Sequence, residues 1–184
     1  MNIAELKTEL ERLHSASFGW ALSCCRRDHS DAEEVLQTVY LKIFEGKAVF
    51  RGESTLKTWL FAVIRKTAAT EYRRKLLRTL RLTDSSEVEQ PGAYEAPTKS
   101  FERSEVQAHF QIALKTLPKR QREALHLVFY EDLSLREAAD VMGVSIGSAR
   151  QHYERGKKKL RESLARMEVG YGNNWGRQET PSAV

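Results

Sequence analysis

Arg150 and Gln151 carry the two side chains in this 184-residue chain best suited to reading base edges, since a guanidinium pairs bidentately with guanine and a carboxamide with adenine. They sit near the start of a run, Ser148 to Arg161, that continues through Glu154, Arg155, Lys157, Lys158, Lys159 and Arg161. Wound as a helix, the run turns Ser148, Arg150, Gln151, Arg155, Lys157, Lys158, Lys159 and Arg161 outward, while Ala149 and Tyr153, with Val144 just before the run, supply the inward face. Base-reading groups at the beginning and phosphate-neutralising cations further along are the chemistry of a helix laid in a major groove. Glu154 breaks the pattern. An acid facing a groove either accepts from a cytosine amino group or is offset locally, and Lys158 lies at the right helical spacing to offset it.

Such a helix needs a support to hold it against the duplex, and the residues before it describe one. Ser134 precedes an apolar-periodic run and Glu137 follows three places later, the spacing of a capping box, so a helix is expected from Leu135. Leu135, Ala138, Ala139 and Met142 share its buried face. Gly143 stands where a left-handed residue would end it, and Ser145 can cap the next helix after a very short connection. Two helices joined so tightly cross steeply, with the small Ala139 at their closest approach. Short turn, caps, small crossing residue and one-sided positive charge together describe a DNA-reading helix-turn-helix, whereas a plain amphipathic bundle helix accounts for the charge alone.

The rest of the chain is helical by pattern. Residues 1 to about 27 place Ile3, Leu6, Leu10, Leu13, Phe18 and Leu22 near helical spacing. A second helix is expected from a cap at Ser30 or Asp31 to a stop at Gly46, with Val35, Leu36, Val39, Ile43 and Phe44 as its stripe. A third runs from Leu56 to about Leu80 on Trp59, Leu60, Val63, Ile64, Ala68 and Tyr72, with Trp59 expected in the core. Residues 83–100 lose the pattern, holding Pro91, Gly92 and Pro97 among serines and acids, as a linker does. A helix to Thr116, a break at Leu117-Pro118 and a helix from Lys119 to Tyr130 then lead to the helix-turn-helix. The chain is therefore expected to be all-α, with two small helical domains at 1–82 and 101–166, a flexible acidic linker at 83–100, and a disordered tail at 167–184.

Composition narrows the function. A net charge of +5 favours polyanionic partners weakly, and the clustering of the cations says more than their sum. No apolar run is long enough to cross a bilayer and the first residues are an amphipathic helix with acids, so no membrane insertion and a cytoplasmic location are expected. The adjacent Cys24 and Cys25 are poorly placed for a disulfide and, with His29, make no recognised metal spacing. No metal and no cofactor are expected. The five histidines are scattered, no nucleophile and base pair up, and no phosphate-binding loop occurs, so catalysis is not expected.

Two stretches, DAEEVLQTVYLKIF with FRGESTLKTWLFAVIRKTAATEYRR and then ALKTLPKRQREALHLVFYEDLSLREAADVMGVSIGSARQHYERGKKKLRESL, resemble the sigma-70 family of bacterial transcription initiation factors. The likeness is to its small two-domain extracytoplasmic-function group and covers about Phe18 to Arg166. It implies that the first domain, sigma region 2, docks on the beta-prime clamp helices of core RNA polymerase through Asp31, Glu33, Glu34 and Gln37. The same acids also complement a helix N-terminus, and both roles can hold together. It implies that the loop from Phe50 to Lys57 reads the minus-10 element by capturing a flipped base, with Arg51, Glu53, Ser54, Thr55 and Lys57 offering polar contacts. Arg65, Lys66, Arg73 and Arg74 would supply the basic track that single-strand capture needs. In the second domain, sigma region 4, which meets the beta flap in this family, the minus-35 readers map onto Ser148, Arg150, Gln151, Glu154, Arg155 and Lys158.

The family often carries Thr-Val-Lys-Ser-Arg where this chain has Ser148-Ala149-Arg150-Gln151-His152, a departure that bears on which promoter DNA is read. An acidic linker of this kind threads toward the polymerase active centre in the family, although a plain tether would have the same composition. The resemblance also implies an anti-sigma factor as a partner. A DNA-binding regulator that works without polymerase would explain the helix-turn-helix but leave the acidic helix and the FRGEST loop without purpose.

Overall fold

The computed structural model describes residues 3–82, 113–114 and 116–166. The expected linker, most of the helix before Thr116 and the tail lie outside them. Among the described residues there are seven α-helices and no strand: α1 (Ile3–Arg12), α2 (His14–Cys24), α3 (His29–Phe44), α4 (Leu56–Leu82), α5 (Lys119–Leu125), α6 (Leu135–Met142) and α7 (Ile146–Arg166). A π-helical turn, His126–Tyr130, extends α5.

In the first half, α2, α3 and α4 pack against one another with α1 against α2. Their shared core is Trp20, Val35, Leu36, Val39, Ile43, Leu60, Phe61 and Ile64, and the fully buried Trp20 donates its indole N–H to the carbonyl of Phe61 at 3.0 Å. The first helix is two helices, because Leu13 turns the chain between Arg12 and His14. The cap of α3 is Asp28, whose carboxylate accepts from the N–H of Asp31 at 2.8 Å, so neither Ser30 nor Asp31 takes that place. Before it, Arg26 and Arg27 adopt left-handed backbone, φ 57° and 68°, and reverse the chain. Arg26 is anchored there by Tyr72, whose hydroxyl it meets at 3.0 Å and whose ring it covers at 4.8 Å. Phe44, placed in the apolar stripe by its spacing, is exposed. Trp59 is half-buried and packs its ring on Phe50, 5.5 Å away, which ties the loop before α4 to that helix.

In the second half, α5, α6 and α7 enclose Ala124, Leu125, Ala138, Ala139, Val141, Met142 and Ala149. The capping box is present: Ser134 Oγ accepts from Glu137 N–H at 3.2 Å, and Glu137 accepts from Ser134 N–H at 2.9 Å. Gly143 ends α6 at φ 62°, a conformation that glycine adopts without a Cβ penalty. Ser145 Oγ then accepts from Ser148 N–H at 3.1 Å and opens α7.

The two halves meet along α4 and α6. One apolar cluster continues from Trp20, Phe61 and Ile64 to Ala124, Leu127, Leu133, Ala138, Val141 and Met142.

Candidate nucleic-acid interface

The helix-turn-helix is held so that one face of α7 is free. Ala149 is fully buried against the rest of the second half, while Val144 and Tyr153 are half-buried against the same core. Gly156 is buried too, and a Cβ there would lie 3.1 Å from both the Gln121 carbonyl and Leu125 Cδ1, so α7 approaches α5 at backbone distance. With that side fixed, Arg150, Gln151, Glu154, Arg155 and Lys158 are all exposed on the opposite side. Ser148 is half-buried and bonds to Ser145 at 2.9 Å, so it belongs as much to the cap as to the outer face. Glu154 pairs with Lys157, three residues on, at 3.4 Å. That partner is not the Lys158 that its spacing suggested. Lys157 in turn sits over the Tyr153 ring at 4.9 Å.

The acidic start of α3 is a second exposed feature. Glu33, Glu34 and Gln37 are exposed and Asp31 is half-buried. Lys75 of α4 pairs with both Asp31 and Glu34, the latter at 3.2 Å, and its ammonium is held above the ordinary lysine range chiefly by the Asp31 bond. Glu33 and Gln37 lie one and three places from Glu34, on the open side of the helix.

The loop and helix expected to take the minus-10 strand divide in two. Arg51, Glu53 and Thr55 of the loop are exposed and Ser54 is half-buried; on α4, Lys66, Arg73 and Arg74 are exposed, with Arg74 bonded to Glu71 at 2.9 Å. Lys57 and Arg65 instead turn toward the second half. Lys57 Nζ donates to the Glu131 carbonyl at 2.7 Å and meets its carboxylate at 3.0 Å. Arg65 Nε meets Glu123 at 3.3 Å. Thr58, which no sequence signal marked, is buried and donates to Glu137 at 3.3 Å while accepting from Thr55 at 2.8 Å. Burial alone would raise the Glu131 carboxyl, but His126 and Lys57 outweigh it and hold the group below the ordinary carboxylate value.

Among the described residues no three His, Cys, Asp or Glu side chains gather as metal ligands, and no helix is long and apolar enough to cross a membrane. Burial pushes the Cys24 thiol well up and the Cys25 thiol to about 11.

Comparison with known proteins places both halves. The Sigma-70 region 2 family matches residues 10–78, and the Sigma-70, region 4 family matches residues 113–162. The RNA polymerase sigma factor CarQ of Myxococcus xanthus is 30% identical over 146 residues, covering 78% of this chain and 80% of its own. The ECF RNA polymerase sigma factor EcfG of Rhodopseudomonas palustris is 29% identical over 153 residues, covering 83% and 80%. Among solved structures, the sigma factor RpoE of Bartonella quintana, in complex with the anti-sigma factor NepR, superposes with a TM-score of 0.69 at 27% identity, covering 89% of this chain and 98% of that one. CnrH in complex with the cytosolic domain of CnrY shares the fold, with a TM-score of 0.60 at 19% identity over 90% of each chain. Region 2 and region 4 in order, on a two-part helical fold that presents a free recognition helix, make this chain a member of the sigma-70 family, in its extracytoplasmic-function group of RNA polymerase sigma factors.

Proposed function

We propose that the chain binds core RNA polymerase in the cytoplasm, carries it to promoters through minus-35 and minus-10 contacts, and promotes strand opening without catalysing a reaction itself. The observation that carries this is α7: its buried side is locked by Ala149 and Gly156, and its free side presents Arg150, Gln151, Arg155 and Lys158. Arg150 and Gln151 would read base edges, with Lys158 on phosphate. The exposed acids of α3 would dock on the beta-prime clamp helices, and the second half on the beta flap. Arg51, Glu53, Ser54 and Thr55 would take an unpaired base, with Lys66, Arg73 and Arg74 along the strand. Opening by trapping unpaired bases needs no nucleotide hydrolysis by this chain. An anti-sigma protein, the kind of partner that RpoE of Bartonella quintana holds, would cover such surfaces.

Purified core enzyme mixed with the chain should co-elute with it at moderate salt and give discrete run-off transcripts on genomic fragments. Absence of a complex would refute the reading. Reversing Glu33 and Glu34 to lysine should weaken the complex by about tenfold or more while leaving the helical signal unchanged. Undiminished affinity would remove these acids from the docking surface.

A further inference from the structure

The turn between α2 and α3 carries two arginines for which the turn itself gives no reason. Arg26 and Arg27 both take left-handed backbone, φ 57° and 68°, which glycine or asparagine would adopt at less cost. Their side chains share a cavity with Arg122 of α5 and with His126 and Tyr130 of the π-helical turn that extends it. With Ser23 at its edge the cavity encloses about 350 Å³, a volume within the range of small-molecule sites.

Every polar side chain in this cavity can donate a hydrogen bond, and none is acidic. Among the described residues no carboxylate lies within ion-pair distance of Arg26, Arg27 or Arg122. Asp28, next in the chain, has its carboxylate on the α3 cap, and Glu131, which meets His126 at 3.4 Å, is held by Lys57 at 3.0 Å. A concave surface of one charge concentrates counter-ions, and the planar fork of a guanidinium matches a phosphate bidentately. Arg26 is already oriented by Tyr72, at 3.0 Å to its hydroxyl and 4.8 Å over its ring, which leaves most of its N–H donors unengaged. Arg122 makes one long bond, 3.4 Å, to the Leu117 carbonyl.

Beside the cations stands a wall of rings. Tyr130 stacks on His126 with centroids 5.4 Å apart, and His126 rests on Trp20 at 5.2 Å. Burial keeps the Tyr130 hydroxyl above the ordinary tyrosine value, although the charge of Arg27 pulls it down, so cation and ring share one corner of the cavity. Cations placed after α2 also complement the C-terminal end of its dipole, but that accounts for neither Arg122 nor the rings. π-helical turns cluster at functional sites, and this one supplies both ring residues.

We propose that the cavity binds a nucleoside di- or triphosphate, with its linked phosphates on Arg26, Arg27 and Arg122 and its base against Tyr130. Phosphate alone needs only the cations; the stacked rings add a flat face that suits a base. The ligand is held intact, and no bond in it is made or broken. The site is separate from the outer face of α7 and from the loop before α4, none of whose residues lines it.

The test titrates the full chain by calorimetry, at moderate salt, with ATP, GTP and sodium tripolyphosphate. Each should fill one saturable site, with both nucleotides about tenfold tighter than tripolyphosphate because the base adds stacking. Arg27→Asn/Arg122→Gln should weaken all three by about tenfold or more. Asparagine tolerates left-handed backbone, so the helical signal and urea midpoint of that variant should stay near those of the wild type. Arg122→Gln alone, the milder change, should give a smaller loss in the same direction. Tyr130→Ala should bring ATP down to the affinity of tripolyphosphate and leave tripolyphosphate itself unchanged. Lys7→Ala/Arg136→Ala removes equal charge elsewhere and should leave ATP binding unchanged. Absence of saturable nucleotide binding by the folded chain would overturn the proposal, as would an equal loss in Lys7→Ala/Arg136→Ala, which would make the binding one of net charge. Equal affinities for tripolyphosphate and the nucleotides would overturn it by removing the base. So would a single-stranded DNA that loses as much affinity as ATP in Arg27→Asn/Arg122→Gln, since the cavity would then belong to the DNA path.

Discussion

Arg150 stands on the exposed side of α7, one residue past the buried Ala149, so its guanidinium is presented outward by a backbone that is fixed on the opposite side. Replacing it by alanine should weaken holoenzyme binding to a promoter by about 1–3 kcal/mol and relax the preference at one upstream position. Equal occupancy of matched and mismatched promoters by the wild type and the variant would take Arg150 out of the groove. Cys24 and Cys25 illustrate the opposite condition. Burial, and for Cys25 also the nearby Asp31 and Asp28, keeps both as neutral thiols at pH 7.5. Since the thiolate is the nucleophile, iodoacetamide should modify the native chain about a hundredfold or more slowly than the urea-unfolded chain. Rapid labelling of the native protein would contradict that burial.

At the scale of elements, α7 depends on an absence. Gly156 lets the helix rest on Gln121 and Leu125 of α5, and a side chain there has only 3.1 Å to the nearest atoms. Gly156→Val should destabilise the fold by about 1–3 kcal/mol, seen as a lower urea midpoint, through overpacking and not through lost charge. An unchanged midpoint would show that α5 can yield. This glycine was not legible from periodicity, since a single glycine in a charged helix reads as a mild defect until the neighbouring helix is seen. The helix-turn-helix itself was legible almost atom by atom, because Ser134, Glu137, Gly143 and Ser145 act within a few residues of themselves. The N-terminus of α3 was misplaced by two or three residues: Asp28, Ser30 and Asp31 can all cap, and the left-handed turn at Arg26 and Arg27 selects among them. Within its own helix Glu154 pairs with Lys157 and not with the Lys158 that its spacing suggested, since side-chain rotamers on an exposed helix are settled by local competition, here with Lys157 over the Tyr153 ring.

At the scale of the whole molecule the governing feature is the seam between the halves, where Glu123, Glu131 and Glu137 meet Arg65, Lys57 and Thr58. It could not be read from the chain because its partners are distant in sequence and each looks like an ordinary surface charge. Its acid sensitivity follows from Glu131. A carboxyl held below its ordinary value contributes stability that is complete above that value and is lost as pH falls through the lower folded one. Glu131→Gln should therefore lower the urea midpoint at pH 7 and do so by a smaller margin at pH 4, where the unfolded carboxyl already takes up protons and the wild type has begun to lose that contribution. A constant difference at both pH values would assign the effect to shape and not to charge.

The apolar cluster that runs from Trp20 and Phe61 through to Leu127 and Met142 carries one more consequence. Parting the halves on core polymerase would hydrate some of that surface, and exposing apolar surface raises heat capacity just as burying it lowers heat capacity. Core enzyme binding measured by calorimetry at several temperatures should then show a less negative heat-capacity change for the wild type than for the Glu123→Gln/Glu131→Gln chain, whose seam lacks two ion pairs, although both end in the same complex. The difference between the two slopes would measure, in units of water released and recaptured, how much of this protein's interior is exchanged for its partner's surface.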